Sequence, residues 1–88
     1  MNYENIPAIT REALDRYAVH HVPTGGFLCA VLSNDLMYAM GHADDDNRAA
    51  IFDICAYIHN ELPGDCHGSP DRVREWTRCN PLLREVAS

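Results

Sequence analysis

The stretch Val22-Pro23-Thr24-Gly25-Gly26-Phe27-Leu28 decides how the chain is read, because it closes one helical pattern, turns, and opens the most apolar segment of the sequence. Proline and paired glycines are strong punctuation. Two adjacent glycines permit positive φ and a close approach of backbone to a ligand, and the helix start that follows offers N–H groups without intrahelical partners. Such a place suits an anion. The same residues also make a plain turn, so this stretch by itself leaves a structural turn and a ligand cradle both open.

Upstream of it, Ile9, Ala13, Leu14, Tyr17 and Ala18 recur at intervals of three and four, which predicts a helix over residues 9–21 with Thr10 as N-cap and Glu12 in its first turn. Arg11, Glu12, Asp15 and Arg16 give that helix a solvated face. Residues 1–8 have no period and read as an extended arm, with Tyr3 and Ile6 to bury.

Downstream, Phe27, Leu28, Ala30, Val31, Leu32, Leu36, Met37, Ala39 and Met40 are apolar over more than one face, which predicts a central helix. Ser33, Asn34 and Asp35 interrupt it, either as an exposed stripe or as partners for another helix or a ligand. Gly41 ends this helix, and Asp44-Asp45-Asp46 opens the next where carboxylates favour the helix dipole. The spacing and downstream Glu of a calcium hand are missing. A third helix then runs over 47–62 on Ala50, Ile51, Ile54, Cys55, Ile58 and Leu62, stopped by Pro63-Gly64. The short connection makes residues 26–62 an antiparallel helical hairpin. Ser69 as N-cap and Pro70 at the first helical position predict a short helix over 69–79 anchored by Val73 and Trp76. The tail 80–88 has room for one more turn. The fold class expected is all-α: one domain over residues 1–88, a hairpin with a helix before it and a short helix after it.

An 88-residue chain buries only roughly 60–65% of its unfolded surface, and 47% hydrophobic content leaves more apolar helix face than one protomer covers. A homo-oligomer is the expected remedy. The net charge of −6, with all seven basic residues Arg, excludes general attraction to DNA, long RNA or an anionic membrane surface. A small anion is different, since a few Arg side chains and backbone N–H groups make a local positive pocket on an acidic protein. No basic leader precedes the domain and no apolar run reaches membrane-spanning length, so the protein is expected in the cytoplasm. Cys29, Cys55, Cys66 and Cys79 read as reduced thiols, with Cys29 and Cys55 buried on apolar helix faces.

Cys55 with His59, Cys66 with His67, and His20 with His21 lack the paired spacing of a zinc site, and no nucleophile elbow is present. No enzyme activity, metal or cofactor is expected. There remain two similar devices, Thr24-Gly25-Gly26 and Gly68-Ser69, each with N–H groups and a hydroxyl at a helix start, as phosphate sites have. Arg72 and Arg74 would add charge-assisted bonds, and Tyr3, Tyr17 and Trp76 offer flat surfaces for a base or packing for the core.

The run Ile9-Thr10, then Tyr17, then Pro23-Thr24-Gly25-Gly26-Phe27-Leu28-x-Ala30-Val31-Leu32-x-Asn34-Asp35-Leu36, then Ala43-Asp44 and Asn47, Tyr57-Ile58, and Cys66-x-Gly68-Ser69 with Trp76 resembles the small phage anti-CBASS sponge proteins, a helical-hairpin family shared with a sponge of Thoeris anti-defence. The match covers roughly residues 9 to 76, and its most specific part runs from Pro23 to Leu36. The resemblance implies a homohexamer that sequesters cyclic di- and trinucleotides without cleaving them, in the cytoplasm of the infected bacterial host. It also implies dinucleotide pockets between protomers with an aromatic stacked on a base, a role for which Tyr17 and Tyr3 are the candidates. Separate trinucleotide sites would be lined by Thr24, Gly25 and Gly26 and by an Arg after the hairpin, for which Arg72 stands nearest, beside Ser69. Relatives carry Trp where His67 stands and set a Lys on phosphate, and this chain has no lysine. The alternative expectation is a small helical structural or protein-interaction module of a phage, without a nucleotide ligand.

Overall fold

Pro7, which has no N–H to leave unsatisfied, stands immediately before the first helix, α1 (Ala8–His20). The computed structural model describes residues 3–79, and these form six α-helices and one 3-10 turn, with no strand among them. The all-α class is therefore as the periodicity predicts. α1 ends at His21, whose backbone is left-handed (φ 59°) and whose N–H returns to the Tyr17 carbonyl. Thr10, expected as the N-cap, lies inside α1 and is buried, and its hydroxyl donates to Asn47 Oδ1 at 2.6 Å. A tertiary partner has taken the side chain that local capping would have used.

The central helix expected over Phe27 to Met40 is two helices, α2 (Gly26–Leu32) and α3 (Leu36–His42). The polar trio makes the break. Asn34 adopts φ 66°, and the Asp35 side chain accepts the Tyr38 N–H at 3.3 Å as the N-cap of α3. Short polar side chains compete with the helix for backbone hydrogen bonds, and three in a row tip the balance. Gly41 lies within α3 rather than ending it.

The next helix, expected as one piece over 47–62, is likewise divided into α4 (Asp45–Ala49) and α5 (Ile51–Glu61), which meet at Ala50 (φ −102°, ψ 9°). Asp44 caps α4 by accepting the Asn47 N–H at 2.8 Å. A 3-10 turn at Gly64–Cys66 follows, and then α6 (Pro70–Arg78), with Ser69 accepting the Arg72 N–H and Pro70 at the first helical position, as the sequence predicts. The possible extra turn in 80–88 lies outside the described residues.

α1 lies along α4 and α5 in the same direction, since Thr10 meets Asn47, the Tyr57 hydroxyl donates to Asp15, and the Tyr17 hydroxyl donates to the Cys66 carbonyl at 2.5 Å. The arm crosses α5 in the opposite sense, with Asn5 donating to Asp53 and Tyr3 to Glu61. Leu14, Tyr17, Leu28, Leu32, Ile54, Ile58, Cys66 and Val73 form one core between these elements. Gly68 N–H donates to Leu32 O at 2.7 Å and so ties the end of α2 to the start of α6.

The apolar stripe overreaches the core. Ile9, placed on the buried face of the first helix by its period, is 79% exposed, and Met37 and Phe52 are 81% and 72% exposed. Cys55 is exposed rather than buried, Cys29 is half-buried, and all four thiols are free. Among the described residues no helix is long and apolar enough to cross a membrane.

Candidate ligand groove

α2 presents one face to the interior and leaves the other beside α6 and α3, where two adjoining hollows of about 320 and 290 Å³ share Cys29, Ser33 and Pro70. The first is closed by Pro23, Thr24, Val73, Arg74 and Thr77, the second by Gly26, Ala30, Asp35 and Tyr38. Together they make one groove along α2. Thr24 therefore lies in a concave surface, half-buried, with its hydroxyl spent only on a long 3.3 Å bond to the neighbouring Gly25 carbonyl.

Positive φ is not what these two glycines supply. Gly25 is extended (φ −69°, ψ 175°) and Gly26 is the first residue of α2, so neither uses positive φ. A Cβ on Gly25 would meet nothing within 4 Å, and one on Gly26 would meet only the Tyr38 hydroxyl at 3.9 Å. The positive φ belongs to Gly68 (112°), where a Cβ would also press to 3.2 Å from Arg72 Nη1. α2 has seven residues, about two turns. Few peptide dipoles stand behind its first N–H groups, so the anion site expected from a helix start is weaker than a long helix would supply.

The remaining expected residues are distributed over the molecule. Ser69 uses its hydroxyl to cap α6. Arg72 turns away from the groove: its Nη1 donates to the carbonyls of Gly64 and His67, each at 3.2 Å, and so braces the loop before α6. Arg74, two positions further along α6, is the arginine that lines the groove, where it pairs with Asp71 at 3.3 Å in an exposed i,i+3 bridge. His67 has a buried Nε2 without a partner among the described residues, and its pKa lies below the ordinary histidine value, first through desolvation and then through the charges of His59 and Arg72.

Neither candidate tyrosine lies in the groove. Tyr17 is 0% exposed, and Trp76 Nε1 donates to its carbonyl at 2.7 Å, with the two rings 6.5 Å apart. Burial, then the neighbouring Cys66 and Cys29, push its phenol well above the usual range. Its ring is core and offers no face to a base in this conformation. Tyr3 stands edge-on to Tyr57 of α5 at 5.0 Å and donates to Glu61 of the same helix.

The residue that sequence reasoning missed is Tyr38. It is 48% exposed, reaches over Gly26, and stacks on His42 at 3.9 Å with the rings 10° from parallel. The signal was the polar trio: once Asp35 caps a new helix, the residue three positions on is carried to the rim of the groove. A separate hollow of about 690 Å³ between the arm and α4 carries Glu4 and Asp46 on its walls, which disfavour an anion there. Among the described residues no group of three His, Cys, Asp or Glu side chains could hold a metal. No protein-family model, curated protein or solved structure matches the chain.

Proposed function

We propose that the protein binds cyclic di- and trinucleotide signals and holds them unaltered, so that a bacterial anti-phage effector of the CBASS type is starved of its activator. The observation that carries this is the pair Gly25 and Gly26, at which nothing inside the chain requires glycine. Glycine is well tolerated at a helix N-cap, and with no side chain at either position the backbone at the start of α2 stays open to a ligand entering the groove. Beside it the groove supplies the Thr24 hydroxyl and the Arg74 guanidinium, the chemistry of a phosphate contact. The stretch from Pro23 to Leu36, on which the family resemblance is most specific, supplies seven of the groove residues, five of them at positions that carry the resemblance.

Assembly belongs to the same proposal. Ile9, Met37 and Phe52 lie open on three different helices and are apolar side chains that an interface between protomers would remove from water. A homohexamer would cover them and bring grooves of neighbouring protomers together. The second reading, a helical module that meets another protein, draws on the same exposed residues and treats the glycine turn as scaffolding.

One experiment separates these readings. The protein is incubated with a panel of cyclic di- and trinucleotides, the free ligand is measured, and the protein is then digested and the ligand recovered. Depletion followed by intact recovery supports sequestration, altered ligand means catalysis, and no depletion leaves the interaction module. Gly26→Val is the companion variant: a Cβ there meets only the Tyr38 hydroxyl at 3.9 Å, so assembly should persist, as light scattering checks, while ligand loses its access to the backbone.

A further inference from the structure

The two ends of the groove differ in chemistry. At one end stand Thr24 and Arg74, suited to a phosphate. At the other stand Asp35, Ser33 and Tyr38 around the open backbone of Gly26, and a carboxylate is a poor neighbour for a phosphate. Asp35 uses one oxygen to cap α3, and its other oxygen makes no hydrogen bond among the described residues. The Tyr38 hydroxyl is likewise without a partner there, although its ring is held in place by the stack on His42. A fixed aromatic beside a free carboxylate is what a nucleobase with hydrogen-bond donors on its edge would use.

We propose that the α3 end of the groove is a base subsite selective for guanine, with Tyr38 as the packing surface and Asp35 as the acceptor that reads the Watson–Crick edge. The inference rests on the cyclic-nucleotide reading above and specifies its ligand. Guanine presents N1–H and the N2 amino group side by side, two donors that match the two acceptor oxygens of one carboxylate. Adenine presents a ring nitrogen acceptor beside a single amino donor, so the carboxylate would face a lone pair. Cap and reader are compatible in one side chain, because an ionised carboxylate has about four acceptor sites and the cap takes one.

The test is a titration of the parent protein and two variants with cyclic diguanylate and cyclic diadenylate. Asp35→Asn keeps the cap, since Asn is as good an N-cap as Asp, and exchanges one acceptor oxygen for a donor. Tyr38→Leu removes the flat surface; circular dichroism checks that both variants keep the parental helix content. The parent should hold the diguanylate about ten-fold more tightly, in line with the discrimination one bidentate pair provides. Asp35→Asn should abolish or reverse that preference, because the carboxamide loses one acceptor toward guanine and gains a donor toward the adenine ring nitrogen, and Tyr38→Leu should weaken both ligands. Equal binding of the two ligands by the parent, or an unchanged ratio in Asp35→Asn, overturns the guanine subsite and leaves sequestration standing. Binding of no cyclic nucleotide by the parent overturns the function and the subsite together.

Discussion

One hydroxyl and one missing methyl group carry the residue-scale case. Thr24→Ala removes a single donor from a proposed phosphate contact and should weaken binding by roughly 1–2 kcal/mol, about ten-fold, with the melting temperature unchanged. Arg72→Ala should behave in the opposite way. Its guanidinium is spent on the carbonyls of Gly64 and His67, so the variant should lower thermal stability while groove affinity stays near the parental value. Tyr17→Phe strands the Cys66 carbonyl in the core and should cost about 1–3 kcal/mol in a denaturant titration. His67 supplies a pH dependence whose sign is fixed. The unfolded chain takes up a proton at this ring near the ordinary value of 6.5, whereas the folded protein resists it to lower pH. The unfolded state therefore binds more protons in that range, and stability should fall as pH drops below about 6.5, levelling off below the folded pKa. His67→Phe should flatten this part of a stability profile measured from pH 7.5 to 5.

At the scale of elements, the breaks at Asn34 and Ala50 show which part of the fold periodicity could reveal. Apolar spacing reports which positions face inward, and Leu28, Leu32, Ile54 and Ile58 all do. It carries no information about continuity, because a helix bent at one residue keeps nearly the same period on both sides. Continuity was written in the capping chemistry of Ser33-Asn34-Asp35, whose meaning depends on the left-handed turn at Asn34. Asn34→Ala should consequently cost about 1 kcal/mol, since only Gly and Asn or Asp visit that conformation readily, whereas Asn34→Gly should be tolerated. Of the candidate site, Thr24 and Gly26 were legible as a turn before a helix, and they do line the groove. The arginine was not. Arg72 and Arg74 differ by two positions on α6, about 200° around the axis, so only the docking of α6 decides which one faces α2. Tyr17 is covered by its own chain, which a helix period cannot reveal, since the same spacing serves an inner-face aromatic covered by the core or by a ligand.

For the whole molecule, the open side chains of Ile9, Met37 and Phe52 lead to an expected multimer, six chains by the family resemblance. Light scattering at micromolar concentration measures it directly. Met37→Glu, on the most exposed of these positions, should shift the distribution toward smaller species, and a parent protein that is monomeric throughout would remove the assembly from the proposed function. The acidic surface sets a further expectation at this scale. With a net charge of −6, any anionic ligand is repelled at long range and held only by local contacts, so raising the salt should speed its association rather than slow it.

Trp76 is the single tryptophan of the chain, and it is fastened at both ends: its indole donates to the Tyr17 carbonyl, and its own carbonyl is bonded to His21 Nδ1 at 2.8 Å. Pro70, Val73, Arg74 and Thr77 of the same helix form one wall of the groove. The protein is thereby supplied with an intrinsic fluorophore whose emission follows the seating of that wall. An undocked α6 would expose the indole to water and move its emission to the red, so a dye-free optical trace records whether α6 is held more firmly as ligand arrives.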